Sequence, residues 1–141
     1  MLLKWGKRMT GIEWGGGLSA FYRRKIVAAA REVSALSCGV NEGDVRANLR
    51  KSDVAFARQL AMYLCHVTAN MSLREISAAF GRDRTTVSHA CHAIEDQRDC
   101  PTFDRQVELL ENEYRGRIRA IIADAARAGP PLERKKLRQA S

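Results

Sequence analysis

With 141 residues, 45% of them hydrophobic, and a net charge of +8, the chain can fill one core with short flanking arms and is too apolar to be disordered throughout. Aromatic residues make up only 6% and alanine is abundant, which favours helix over sheet. No apolar run reaches the length of a membrane span and no secretory leader stands at the N-terminus, so a cytoplasmic protein without a membrane partner is expected.

Residues 1–18 read as a flexible arm. Gly15-Gly16-Gly17 interrupts any helix, and Trp5 and Trp14 have no periodic partners. Ser19 is placed to cap a first helix to about Ser37, with Tyr22, Ile26, Ala29, Val33 and Leu36 on one apolar face. Gly39 stops it. A polar connector from Val40 to Lys51 follows, with a short helical turn expected over Asp44–Leu49.

The second long helix is predicted from about Asp53 to Ala69, its stripe formed by Val54, Ala57, Leu60, Ala61, Leu64 and Cys65. Ser72-Leu73-Arg74-Glu75 is a capping box, in which the Ser hydroxyl and the Glu carboxylate satisfy orphan backbone donors reciprocally. It opens a short helix to Phe80. Gly81 makes a turn, Asp83 is placed to cap, and a longer helix continues to about Gln97, burying Val87, Ala90, Cys91 and Ile94. Short helix, Gly turn, longer helix is the order of a helix-turn-helix. The opening turn of the longer helix, Arg82-Asp83-Arg84-Thr85-Thr86, is rich in groups that read base edges and phosphates.

Pro101 breaks the chain, and Thr102 is placed to cap a C-terminal helix over 102–128. Its stripe of Phe103, Val107, Leu110, Tyr114, Ile118, Ile121 and Ala125 spans fewer than four heptads. Packing on the first helix is therefore expected rather than a coiled-coil dimer, leaving a monomer or weak dimer. Gly129-Pro130-Pro131 ends the helix, and residues 129–141 read as a disordered basic tail.

The positive charge points to a polyanionic partner. The four cysteines form no CxxC pair, so neither a disulfide framework nor a structural zinc site is expected. His89, Cys91 and His92 fall on different helix faces. No metal, no cofactor and no catalytic constellation is expected.

Three consecutive blocks carry a resemblance. They are Arg58-Gln59-Leu60-Ala61-Met62-Tyr63-Leu64, Ser72-Leu73-Arg74-Glu75-Ile76, and Gly81-Arg82-Asp83-Arg84-Thr85-Thr86-Val87-Ser88-His89-Ala90-Cys91. Together they resemble the C-terminal DNA-binding domain of the bacterial replication initiator DnaA. A weaker match runs upstream through Val40-Asn41-Glu42-Gly43-Asp44-Val45 and Arg50, so the likeness covers 40–98. It implies an all-α fold with a helix-turn-helix of the DnaA C-terminal, Trp-repressor-like type, within a domain spanning 19–98. It also implies sequence-specific binding of a short double-stranded box, in transcription or in replication initiation, with replication or transcription proteins as further partners.

By the same resemblance, Arg58 matches the arginine that enters the minor groove, and Asp83, Arg84 and Thr85 match the major-groove readers. Thr86 and His89, with Arg82 nearby, match positions at or next to the DNA backbone. Ser72 and Arg74 would lie near phosphate at the start of the first helix of the motif. Arg50 and Lys51 add candidate phosphate contacts. Arg84 stands where the family commonly has His, and a charged fork there favours a guanine contact. Arg74 stands where the family commonly has Pro. These residues hold no Gly-rich loop ending in Gly-Lys-Ser/Thr, so the phosphate cradle of an ATPase is missing from them and a stand-alone box reader without ATPase activity is expected. A protein adaptor using the flanking helices is the alternative.

Overall fold

The computed structural model describes residues 19–47 and 49–128. The arm expected over 1–18 and the tail expected over 129–141 lie outside the described residues. What is described is helical, without strands. In chain order the helices are α1 (Ala20–Cys38), α2 (Glu42–Arg46), α3 (Ser52–Val67), α4 (Leu73–Phe80), α5 (Arg84–Gln97) and α6 (Pro101–Ala128).

The helix ends lie where local chemistry puts them. The Ser19 side chain accepts from Tyr22 N, and α1 ends at Gly39, whose φ of 67° is the left-handed conformation that glycine adopts without a Cβ penalty. α2 begins earlier than the predicted turn because Asn41 Oδ1 accepts from Gly43 N at 2.7 Å and caps it. In the capping box of α4, Glu75 N donates to Ser72 Oγ at 3.1 Å and Ser72 N donates to Glu75 Oε1 at 3.3 Å. α6 starts on Pro101 rather than beyond a Thr102 cap; the missing N–H of proline is no loss in a first turn.

α3 is the central element. Its predicted stripe is buried, but so are Met62 and Tyr63 on the other side, because α1, α2, α4 and α5 all pack around it. α6 lies along α1, as its stripe predicts. The apolar face expected for α1 fails at Leu36, which is 72% exposed. The buried arc of α1 takes in Val27, Ala30 and Ser34, which turns it away from Leu36.

Polar clamps fix the layers. Tyr114, fully buried on α6, donates to the carbonyl of Ile26 on α1 at 2.8 Å. Arg31 on α1 pairs with Glu42 of α2 at 3.3 Å, and its guanidinium also lies over the Phe80 ring of α4. At the α5–α6 junction, Arg98 donates to Asp104 Oδ1 (2.6 Å), Glu111 Oε1 (3.2 Å) and the Tyr63 hydroxyl (3.0 Å).

The thiols divide by burial. Burial pushes Cys65 and Cys91 up to about 12, so neither is a nucleophile near neutrality. Cys38 is half-buried and shifted up by burial and then by Asp53. Cys100 is exposed. A maleimide reagent in mass-spectrometric time courses is expected to label Cys100 first, Cys38 slowly, and Cys65 and Cys91 only on unfolding. Rapid native labelling of the last two would contradict this core.

Candidate nucleic-acid interface

The motif is built from α4, the Gly81 turn and α5. Gly81 has a φ of 63°, and the turn is secured by Arg82 N donating to the Ser77 carbonyl and by the Ser77 hydroxyl donating to the Arg82 carbonyl. Val87, Ala90, Cys91 and Ile94 anchor α5 to the core. That leaves the opposite face of its first two turns open: Asp83, Arg84, Thr85, Thr86 and His89 are all exposed.

Asp83 occupies the N-cap position with extended backbone, φ −63° and ψ 150°, yet its carboxylate makes no capping bond. The expectation that it caps the helix is corrected in that respect. Its oxygens are not engaged by the helix, and the first-turn N–H groups have no side-chain acceptor. Such a helix start offers free donors to an anion, with the Arg84 side chain beside them.

Ser72 and Arg74 are exposed at the start of α4, although Ser72 Oγ is bound up with Glu75 in the capping box. Arg50 and Lys51 are exposed immediately before α3. Arg82 is partly buried, and its Nε has no hydrogen-bond partner among the described residues.

Arg58, which the resemblance matches to a minor-groove arginine, is a buried side chain. It is 3% exposed and folded beneath the connector. Its Nε donates to the Val45 carbonyl at 3.3 Å and its Nη2 to the Leu49 carbonyl at 2.7 Å. Burial, and then the charge of Arg82, lowers its pKa.

Sequence reasoning passed over the cluster of Tyr63, Glu95, Arg98, Asp104 and Glu111. The available signal was Glu111, which sits four residues after Val107 and three before Tyr114, on an apolar stripe. A carboxylate there needs a buried partner.

Among the described residues no helix is long and apolar enough to cross a membrane, and no three His, Cys, Asp or Glu side chains gather to hold a metal ion.

Among known families, residues 27–94 match the one described as bacterial dnaA protein helix-turn-helix. The chain is 41% identical over 78 residues to chromosomal replication initiator protein DnaA 2 of Chlamydia pneumoniae, covering 55% of this chain and 17% of that protein. It is 36% identical over 74 residues to chromosomal replication initiator protein DnaA of Thermoanaerobacter sp. (strain X514), covering 52% of this chain and again 17% of the relative. The crystal structure of a DNA replication initiation factor superposes with a TM-score of 0.63 at 32% identity, over 70% of this chain and 30% of that one. The chain thus spans about a sixth of the length of these curated relatives.

Proposed function

We propose, from the match of residues 27–94 to the helix-turn-helix of the bacterial DnaA family, that the protein binds duplex DNA sequence-specifically by laying α5 in the major groove. The observation that carries this reading is the open first turn of α5. Asp83, Arg84 and Thr85 are exposed in succession behind the Gly81 turn, and no capping bond engages the aspartate.

Their chemistry matches base edges. The Arg84 fork can donate to both acceptors of a guanine, and the Asp83 carboxylate can accept from a cytosine amino group. Thr85 adds a hydroxyl and a methyl. Thr86, Arg82 and His89 flank them toward the DNA backbone. Arg74, Arg50 and Lys51 supply outer phosphate contacts that set register without carrying sequence, and Ser72 joins them only by turning its hydroxyl from Glu75 to phosphate. Arg58 supports the reading indirectly. By holding the Val45 and Leu49 carbonyls it shapes the connector that ends in Arg50-Lys51. Reaching a minor groove would require it to give up both bonds. The sites are short boxes of the kind implied by the DnaA resemblance, and the role is regulation of transcription or of replication initiation.

Titration by fluorescence anisotropy tests the proposal. Four cations, Arg50, Lys51, Arg74 and Arg82, each neutralising one phosphate, give a slope of about −3.6 in log affinity against log salt. Submicromolar binding to a preferred duplex with such a slope is expected. Salt-independent binding, or none, would refute it.

A further inference from the structure

A recognition helix must be held in pitch as well as in place. Apolar contacts are non-directional, and α5 is seated by four of them: Val87, Ala90, Cys91 and Ile94. From Arg84 to Arg98 the helix runs about 21 Å at 1.5 Å per residue. A tilt of roughly 5° displaces one end by about 2 Å relative to the other, whereas a reading constellation tolerates about 0.5 Å. Something directional has to hold the far end.

Arg98 stands there, at the C-cap of α5. It reaches the Tyr63 hydroxyl on α3 at 3.0 Å, Glu111 on α6 at 3.2 Å and Asp104 on α6 at 2.6 Å. The Tyr63 hydroxyl donates in turn to Glu95 Oε2 on α5 at 3.3 Å. The Arg98 and Glu111 side chains are 11% and 8% exposed. Burial opposes the Arg98 charge, but the Asp104 hydrogen bond and the Glu111 charge outweigh it and raise the Arg98 pKa.

A buried ion pair is seldom more stabilising than apolar packing of the same volume. What it adds is direction. Every member except Tyr63 lies beyond residue 94, where the family match ends.

We infer that Arg98 is a positioning residue, and that α6 acts through it as a brace setting the angle at which α5 meets DNA. The inference rests on the DNA-reading proposal and deepens it. Arg98 touches no base. It acts through the backbone of α5, and the Asp104 and Glu111 carboxylates are its anchors.

The test uses the full chain, Arg98→Lys and the double variant Arg98→Met/Glu111→Met. The lysine keeps the charge and loses the fork; the double variant replaces the buried pair with apolar volume. Thermal melting, affinity for a selected duplex and affinity for a scrambled duplex of equal length are measured for each. Both variants should keep wild-type affinity for the scrambled duplex and lose about tenfold in discrimination, the size of one base contact. Discrimination within twofold of wild type in folded variants, even with a lowered Tm, would overturn the brace and leave only a structural anchor. Should the double variant fail to fold, Arg98→Lys decides by the same criterion. A wild-type protein that binds both duplexes equally overturns the DNA reading itself, which is a separate outcome.

Discussion

Replacing Arg84 with alanine is expected to cost about 1–3 kcal/mol of discrimination at one base pair while leaving the fold and nonspecific affinity nearly unchanged. The size follows from placement. Arg84 is the first residue of α5 and is exposed, so no core contact is lost with it. What is lost is a two-pronged donor. Arg84→His, which installs the residue common in the DnaA family, should move the preferred base at that position rather than flatten it. Competition against duplexes substituted one base pair at a time measures both effects. An even loss across all duplexes would mean that Arg84 contacts only phosphate.

Arg58→Ala should act through stability. The guanidinium satisfies two carbonyls in a nearly sealed site, and hydrogen bonds from a charged donor contribute about 1.5–3 kcal/mol each. Relief of the unfavourable charge of Arg82 offsets part of that. A net loss of about 2–4 kcal/mol is expected, lowering the melting temperature of a domain this size by roughly 10 °C or more. DNA affinity should fall for all sequences alike, because the connector carrying Arg50 and Lys51 loosens. Denaturant melts together with anisotropy measure the pair of effects. Unchanged stability with a sequence-dependent loss of affinity would instead place Arg58 in contact with bases.

Local hydrogen-bond chemistry was the most legible part of the fold. Ser19, Gly39, the Ser72–Glu75 box and Gly81 define ends that can be read within four residues, since each satisfies backbone groups of its own neighbourhood. Periodicity identified the inward face of α6 and one face of α3. It could not show that α3 is enclosed on several sides, because Met62 and Tyr63 are buried by helices distant in sequence. Leu36 fails for the related reason that neighbours on more than one side rotate the buried arc of α1.

The candidate interface was legible in its exposed residues and less so in its supports. Asp83 sits at the cap position that its type predicts, but position alone does not make the bond. Arg58 follows an α3 stripe residue and faces carbonyls of a connector whose path no periodicity reveals. The Arg98 cluster joins α3, α5 and α6 across up to 48 positions of chain, and only the misplaced-looking carboxylate Glu111 hints at it.

Selection of binding sites from random duplex DNA separates sequence reading from simple phosphate attraction. Enrichment of one short asymmetric box containing a G·C pair whose recognition changes with Arg84 is expected. Recovery of unenriched sequences, with equal affinity for every duplex, would contradict sequence reading.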